Sequence, residues 1–246
     1  MPTIKLTVAY DGTGYRGWQK TKEGASIEGE LQASLEQILQ QKISLNAAGR
    51  TDRGVHALGQ VVSFEASRLP SLISLNQLLP PDIAILSVEE VPQNFHATLS
   101  AKSKTYRYEL THATYQIPQR RFFEWHYPHR LDAERMFQAA KMLTGKRDFK
   151  SLTNQKKGET YATTVRTVES ITVETMPEGQ VILTFKGENF LYKMVRNLVG
   201  LIVYVGAGKI DLKDIAPILE AKDRRLAAMS APAHGLTLMR VDFANE

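Results

Sequence analysis

The sequence predicts an α+β protein of two ferredoxin-like (split βαβ) halves that share a mixed, mostly antiparallel sheet with flanking helices. Three observations carry this expectation. Strand-like and helix-like segments follow the order β-α-β-β-α-β once before Val91 and, less cleanly, again after it, which suits split βαβ units better than a doubly wound parallel sheet. The chain has 246 residues, 43% of them hydrophobic and 23% charged, enough to bury a full core without staples. No low-complexity stretch or evident linker separates the halves, taken as residues 1–95 and 96–246.

Each element has a local reason. Thr3–Tyr10 alternates as a strand does. Ser26 suits the N-cap of a helix with Ile27, Leu31, Leu35, Ile38 and Leu39 on one face. Gln60–Glu65 is the next strand, and a short helix over Leu72–Leu79 is stopped by Pro80-Pro81. Ile83–Val91 and Ser103–Leu110 read as strands, followed by a helix over Asp132–Leu143 that ends at Gly145. Strands at Val168–Thr175 and Val181–Lys186 precede a helix from about Phe190 to Val205, another over Leu212–Lys222, and a closing strand at Leu236–Phe243.

Composition narrows the function. Lys and Arg number 31 against 26 Asp and Glu, a net charge of +5, and a basic balance of this size points first to nucleic acid. There is no cysteine, which excludes disulfides, thiolate nucleophiles and Cys-held metals, and with them the zinc deaminases and Cys-dependent base methyltransferases. The N-terminus enters a strand at once with no targeting segment, and the longest apolar run, Leu198 to Ala207, is far short of the roughly 20 residues a bilayer demands. A cytoplasmic protein without a membrane partner is the expectation.

One motif invites a wrong reading. Gly12-Thr13-Gly14-Tyr15-Arg16-Gly17 is a literal dinucleotide fingerprint, but that fingerprint works only where a helix opens at once to face the pyrophosphate. No helix pattern starts before about Ile27, so a glycine-rich turn is expected and a nucleotide cofactor is not. A loop carrying Arg16 and Trp18 toward a polyanion is a third reading. The six histidines form no metal pattern, so neither a metal nor any other cofactor is expected.

Four stretches could carry chemistry. Ala48-Gly49-Arg50-Thr51-Asp52-Arg53-Gly54-Val55-His56-Ala57 is a loop between a helix and a strand, with Asp52 between Arg50 and Arg53. Cations closing on that carboxylate would keep it ionised as a nucleophile or base; the same residues also describe a structural ion pair in a turn. In Lys102–Tyr108, alternation puts Lys102, Lys104, Tyr106 and Tyr108 on one strand face, suited to phosphates and stacked bases, or equally to half a core. In the helix after Asn189 a narrow polar stripe holds Asn189, Lys193, Arg196, Asn197 and Gly200. It is either a solvated face or a mount aiming Arg196 at an acid or phosphate. Finally, Lys141–Arg166 holds Lys141, Lys146, Arg147, Lys150, Lys156, Lys157 and Arg166 against Asp148 and Glu159, a basic segment suited to an RNA backbone.

With these residues in view, the loop around Asp52 resembles the catalytic motif of the TruA family of tRNA pseudouridine synthases. Other segments fit the same family in order: Tyr10-Asp11-Gly12-Thr13, Tyr15 and Gly17-Trp18-Gln19; Phe95-His96-Ala97 with Ala101–Tyr108; Gly145 with Asp148-Phe149; Phe190–Gly200; and Ala231–Leu236. The resemblance implies the pseudouridine synthase fold, with Asp52 as the catalytic aspartate, Tyr106 as the ring stacking on the target uracil and Arg196 as the basic partner of Asp52. Arg50, Arg53, Lys104 and Lys193 are the further candidate substrate-binding residues. It also implies a homodimer acting without cofactor or metal on the anticodon arm of tRNA, at positions 38, 39 and 40. Arg53, Thr98 and Arg147 depart from residues common in the family, which bears on RNA contacts and leaves Asp52, Tyr106 and Arg196 untouched. A non-catalytic RNA-binding or tRNA-folding module is the alternative. The retained carboxylate argues against it, because a binding surface gains little from an acid facing phosphates.

Overall fold

Alternation makes Thr3–Tyr10 strand β1, with Ile4, Leu6, Val8 and Tyr10 buried. The computed structural model, which describes residues 1–155 and 161–244, continues as a split βαβ pattern. Helix α1 spans Ile27–Leu39, and Ser26 Oγ accepts from the Gly29 amide at its start. It is followed by β2 (Asn46–Ala47), β3 (His56–Glu65), helix α2 (Leu72–Leu78) and β4 (Ile83–Val91). β1 lies antiparallel between β4 and β3, with Thr3 opposite both Val91 and Glu65, and β2 pairs antiparallel with β3.

Past this pattern come β5 (Ala101–Thr111), β6 (Trp125–His126), helix α3 (Ala133–Leu143), β7 (Gly145–Asp148), β8 (Val165–Thr175) and β9 (Gln180–Gly187). Helix α4 (Met194–Gly206), helix α5 (Ile215–Glu220) and β10 (Leu236–Phe243) complete the chain. The residues fold as two compact units, Met1–Lys104 with Thr237–Glu246, and Thr105–Leu236. In the first, the strand order is β4-β1-β3-β10-β5, and β10 runs parallel to β3 with Thr237 opposite His56. In the second the order is β5-β9-β8-β7, with β7, β8 and β9 antiparallel in succession and β6 parallel to the end of β5. The fold is thus α+β with a mixed, mostly antiparallel arrangement of strands.

The core of the first unit includes Ile4, Leu6 and Val8 of β1, Val62 and Phe64 of β3, and Ile27, Leu31 and Leu35 of α1, all buried. In the second, α4 is apolar nearly all round, as suits a buried helix, with Met194, Leu198, Leu201 and Ile202 fully enclosed. It packs close to α3, because a Cβ on Gly206 would collide with the Met136 side chain.

Three features differ from the sequence expectation. β2, β6 and β7 are too short to show alternation. The helix expected from about Phe190 opens only at Met194, because Lys193 adopts a left-handed φ of 58°. The helix expected from Leu212 begins as a 3-10 turn and becomes α-helical at Ile215. Among the described residues no helix is long and apolar enough to cross a membrane.

Candidate active site

The loop carrying Asp52 leaves β2, turns and enters β3. Its turn closes through the Val55 amide donating to the Asp52 carbonyl at 3.1 Å, with Gly54 third in the turn at φ 78°, a conformation that glycine reaches without strain. Asp52 is half-buried, while Arg50 and Arg53 on either side are exposed.

Beneath the loop lies the glycine-rich turn. The Trp18 amide donates to the Thr51 carbonyl at 3.0 Å. Gly17, at φ +103°, sits so close that a Cβ there would lie 2.7 Å from the Thr51 carbonyl oxygen and 3.0 Å from the Arg53 nitrogen. A Cβ on Gly12 would collide with the Val55 carbonyl, and the Gly12 amide donates to His56 Nδ1 at 3.0 Å. Gly14, between them, has open space around it. The literal dinucleotide fingerprint is therefore a backbone cradle for the Asp52 loop. Trp18 is 2% exposed with its ring against Tyr10, so it does not reach outward to a polyanion.

Side chains complete the support. The Tyr10 hydroxyl and Thr51 Oγ1 are 2.8 Å apart, and the Gln60 side-chain amide donates to the Gly49 carbonyl at 2.8 Å. Burial pushes the Tyr10 phenol up to about 12 against the hydrogen bonds from Thr51 and Gln60, so it stays a neutral support at working pH. The Thr98 hydroxyl donates to the Ala47 carbonyl at 2.6 Å.

Of the two readings of the Lys102–Tyr108 face, half a core fits the burial at Lys104 better than an outward, phosphate-facing one. Lys104 is 9% exposed, its stem lies against Gly49 of the loop, and burial lowers its ammonium pKa. Only Lys102 of that expected face is exposed; Tyr106 and Tyr108 are buried.

In the second unit, Tyr106 meets Phe190 edge-on with ring centroids 5.4 Å apart. Gly187 makes the room, since a Cβ there would stand 3.1 Å from the tip of the Phe190 ring. Apolar periodicity puts Phe190 in a helix, whereas its place is before α4 and against Tyr106. Lys193 caps α4 with its ammonium over the Tyr192 ring at 5.2 Å. Arg196, one turn on, is half-buried, and its Nε donates to the Ala231 carbonyl at 2.7 Å.

The polar stripe of α4 is not a solvated face. Asn197 is fully buried, its amide donating to the Leu152 carbonyl at 2.8 Å and to Asn154 Oδ1 at 3.0 Å, and Asn189 lies outside the helix. Of the basic segment, Lys141, Lys146, Arg147 and Lys150 are exposed and Arg166 is half-buried, whereas Lys156, Lys157 and Glu159 lie outside the described residues. Among the described residues no group of three or more His, Asp or Glu could hold a metal ion.

A family model for tRNA pseudouridine synthases matches residues 6–99 and 139–244. The chain is 46% identical over 246 residues to tRNA pseudouridine synthase A 2 of Protochlamydia amoebophila, covering 98% of this chain and 94% of that one. It is 37% identical over 249 residues to tRNA pseudouridine synthase A of a Thermoanaerobacter species, covering 99% and 100% of the two chains. Among solved structures, a chain from an H/ACA RNP bound to a substrate RNA containing 2′-deoxyuridine is similar at 15% identity and a TM-score of 0.43. There this chain is covered over 98% of its length and spans about half, 49%, of the other.

Proposed function

This chain belongs to the tRNA pseudouridine synthase family, and from that premise we propose that it isomerises uridine in the anticodon arm of tRNA, at positions 38, 39 and 40, through Asp52 and without a cofactor. The observation that carries the reading is the Asp52 loop itself. It lies within the family match, and its backbone is cradled by Gly12 and Gly17 at separations that admit no side chain. Such rigidity suits a reacting group that must be held in place before the substrate arrives.

The reaction breaks the bond from uracil N1 to C1′, turns the base, and joins C1′ to C5. The C5 proton leaves to solvent and N1 gains one, so no electron or outside group is consumed. Taking the nucleotide out of its stack costs about a few kcal/mol. A ring stacked on the base returns about 1–3 kcal/mol, the role proposed for Tyr106, whose ring is braced by Phe190. In this reading Asp52 starts glycosidic cleavage, and Arg196 keeps that carboxylate ionised and oriented. Attack at C1′, attack on the uracil ring and removal of the 2′ proton all remain open to Asp52.

Exposed Arg50 and Arg53, together with Lys193 and the basic surface of Lys141, Lys146, Arg147 and Lys150, suit contacts to the RNA backbone. The placing of Lys104 behind Gly49 gives it a supporting role under the loop rather than a phosphate contact. The reading includes a cytoplasmic homodimer, testable as the mass of the purified protein in solution.

The experiment is to incubate unmodified tRNA with the purified protein alone and map pseudouridine. New pseudouridine confined to positions 38–40 is the expected result. Modification elsewhere would overturn the site, and tRNA binding with no modification would favour the non-catalytic module.

A further inference from the structure

Arg196 is held from one side by an irregular strap, Ala227–Pro232, that crosses α4. The Arg196 Nε donates to the Ala231 carbonyl at 2.7 Å, and the Ala231 amide returns a bond to the Arg196 carbonyl at 3.0 Å. This two-way clasp fixes the guanidinium plane, so the aim of Arg196 depends on where the strap lies. Gly200 lets the strap approach, since a Cβ there would collide with the Met229 carbonyl. Beyond it, the Tyr108 hydroxyl donates to the Pro232 carbonyl at 2.9 Å.

The other end is organised by one side chain. Arg224 sits at the head of the strap in a short 3-10 turn, Arg224–Leu226. Its Nη1 donates to the Ala228 carbonyl at 2.8 Å. Its Nη2 donates to Ser230 Oγ at 3.1 Å and to Asn197 Oδ1 at 3.0 Å, and its Nε reaches Asn154 Oδ1 at 3.5 Å. Ser230 Oγ is also bonded to Asn197 Oδ1. One planar fork therefore joins the strap, at Ala228 and Ser230, to the helix, at Asn197, the residue next to Arg196. All these acceptors are neutral carbonyl, amide or hydroxyl oxygens. Arg224 is thus fixed by the geometry of its fork, which a lysine ammonium does not reproduce.

We propose that Arg224 is a positioning residue for catalysis: it sets the Ala227–Pro232 strap so that the Ala231 carbonyl aims the Arg196 guanidinium. This rests on the role given above to Arg196.

The test is a double-mutant cycle on the full-length protein, read as the single-turnover rate of pseudouridine formation at saturating tRNA. The variants are Arg224→Gln, Arg224→Lys, Arg196→Lys and the double variant Arg196→Lys with Arg224→Gln. Arg224→Gln should slow the step about tenfold while tRNA affinity stays within about twofold, and Arg224→Lys should recover little of the loss. In the Arg196→Lys background the same change should cost less than about twofold, because the group it aims is gone. Equal losses in both backgrounds, or a loss confined to tRNA affinity, would overturn the proposal. If Arg224→Gln fails to fold, Ser230→Ala enters the same cycle, where a coupled loss supports the proposal and an additive or absent one overturns it. A wild-type rate for Arg196→Lys alone would instead remove the role of Arg196, and the positioning of it along with that role.

Discussion

In the first unit, the backbone from Thr51 to Val55 rests on Gly12 and Gly17, whose missing side chains let the two loops touch directly. In the second, Arg196 is placed by hydrogen bonds between side chains and a strap, through Arg224, Asn197, Ser230 and the Ala231 carbonyl. The first arrangement has no slack. A methyl group at either glycine must displace backbone, which fails abruptly. The second is a set of polar contacts, each worth about 0.5–1.5 kcal/mol net, so it can be loosened by degrees. On the roles proposed above, a carboxylate that must meet one atom suits the first kind of support, and a guanidinium that supplies field and orientation tolerates the second.

Breaking the rigid side should give the largest effect. Gly12→Ala should cost about 3 kcal/mol in chemical denaturation, at the upper end of overpacking costs, because its Cβ meets the Val55 carbonyl. Gly17→Ala should fare as badly, adding a left-handed φ of 103° to the clash. Gly14→Ala, in the same glycine motif but with nothing near its Cβ, should stay within about 0.5 kcal/mol of wild type. Equal costs at Gly12 and Gly14 would mean that the cradle is not what holds the loop.

Next in size is the ring of the second unit. Tyr106→Leu should lose about 1–3 kcal/mol of stacking from the single-turnover step, and Tyr106→Phe should keep most of the rate, since the ring and its Phe190 brace survive. Equal losses would show that the hydroxyl, not the ring, is what matters.

The smallest effect sharpens the contrast with side-chain support inside the first unit. Tyr10→Phe removes the bond to Thr51 and should cost about 1 kcal/mol with little change in activity. Burial pushes the folded Tyr10 phenol up to about 12 from its ordinary 10, so its contribution is full below pH 10 and is lost as pH rises toward 12. The deficit of Tyr10→Phe relative to wild type should therefore shrink as pH rises from 10 toward 12; a deficit that stays constant over that range would contradict the buried, neutral phenol.

The legible parts of the molecule were those with a period or a cap. β1 could be read from its alternation, α1 from Ser26 and its apolar face, and α2 from the prolines that stop it. The element order before Val91 was enough for the split βαβ pattern. β2, β6 and β7 were not legible, because two to four residues show no period and their pairing is set by distant strands. The start of α4 was misplaced because Phe190 and Leu191 continue an apolar pattern through a turn that only the left-handed Lys193 ends. The candidate site could be proposed from residues but not from their surroundings. Asp52 stood out between two arginines, yet a helical wheel does not reveal that Asn197 faces Leu152 and Asn154 instead of water. Nor does strand alternation reveal that Lys104 is covered by Gly49. The glycine motif held more information than its fingerprint reading. Its spacing is that of a cradle under another loop, which becomes visible only once that loop is in place.

The central claim is that the Asp52 carboxylate does the chemistry in a loop whose shape does not depend on it. Asp52→Asn keeps the side-chain volume and the cradle while removing the charge. Measured as tritium released from tRNA labelled at uracil C5, alongside tRNA binding by the same protein, the variant should release no tritium above background and bind tRNA as wild type does. Release at a near-wild-type rate would contradict the account.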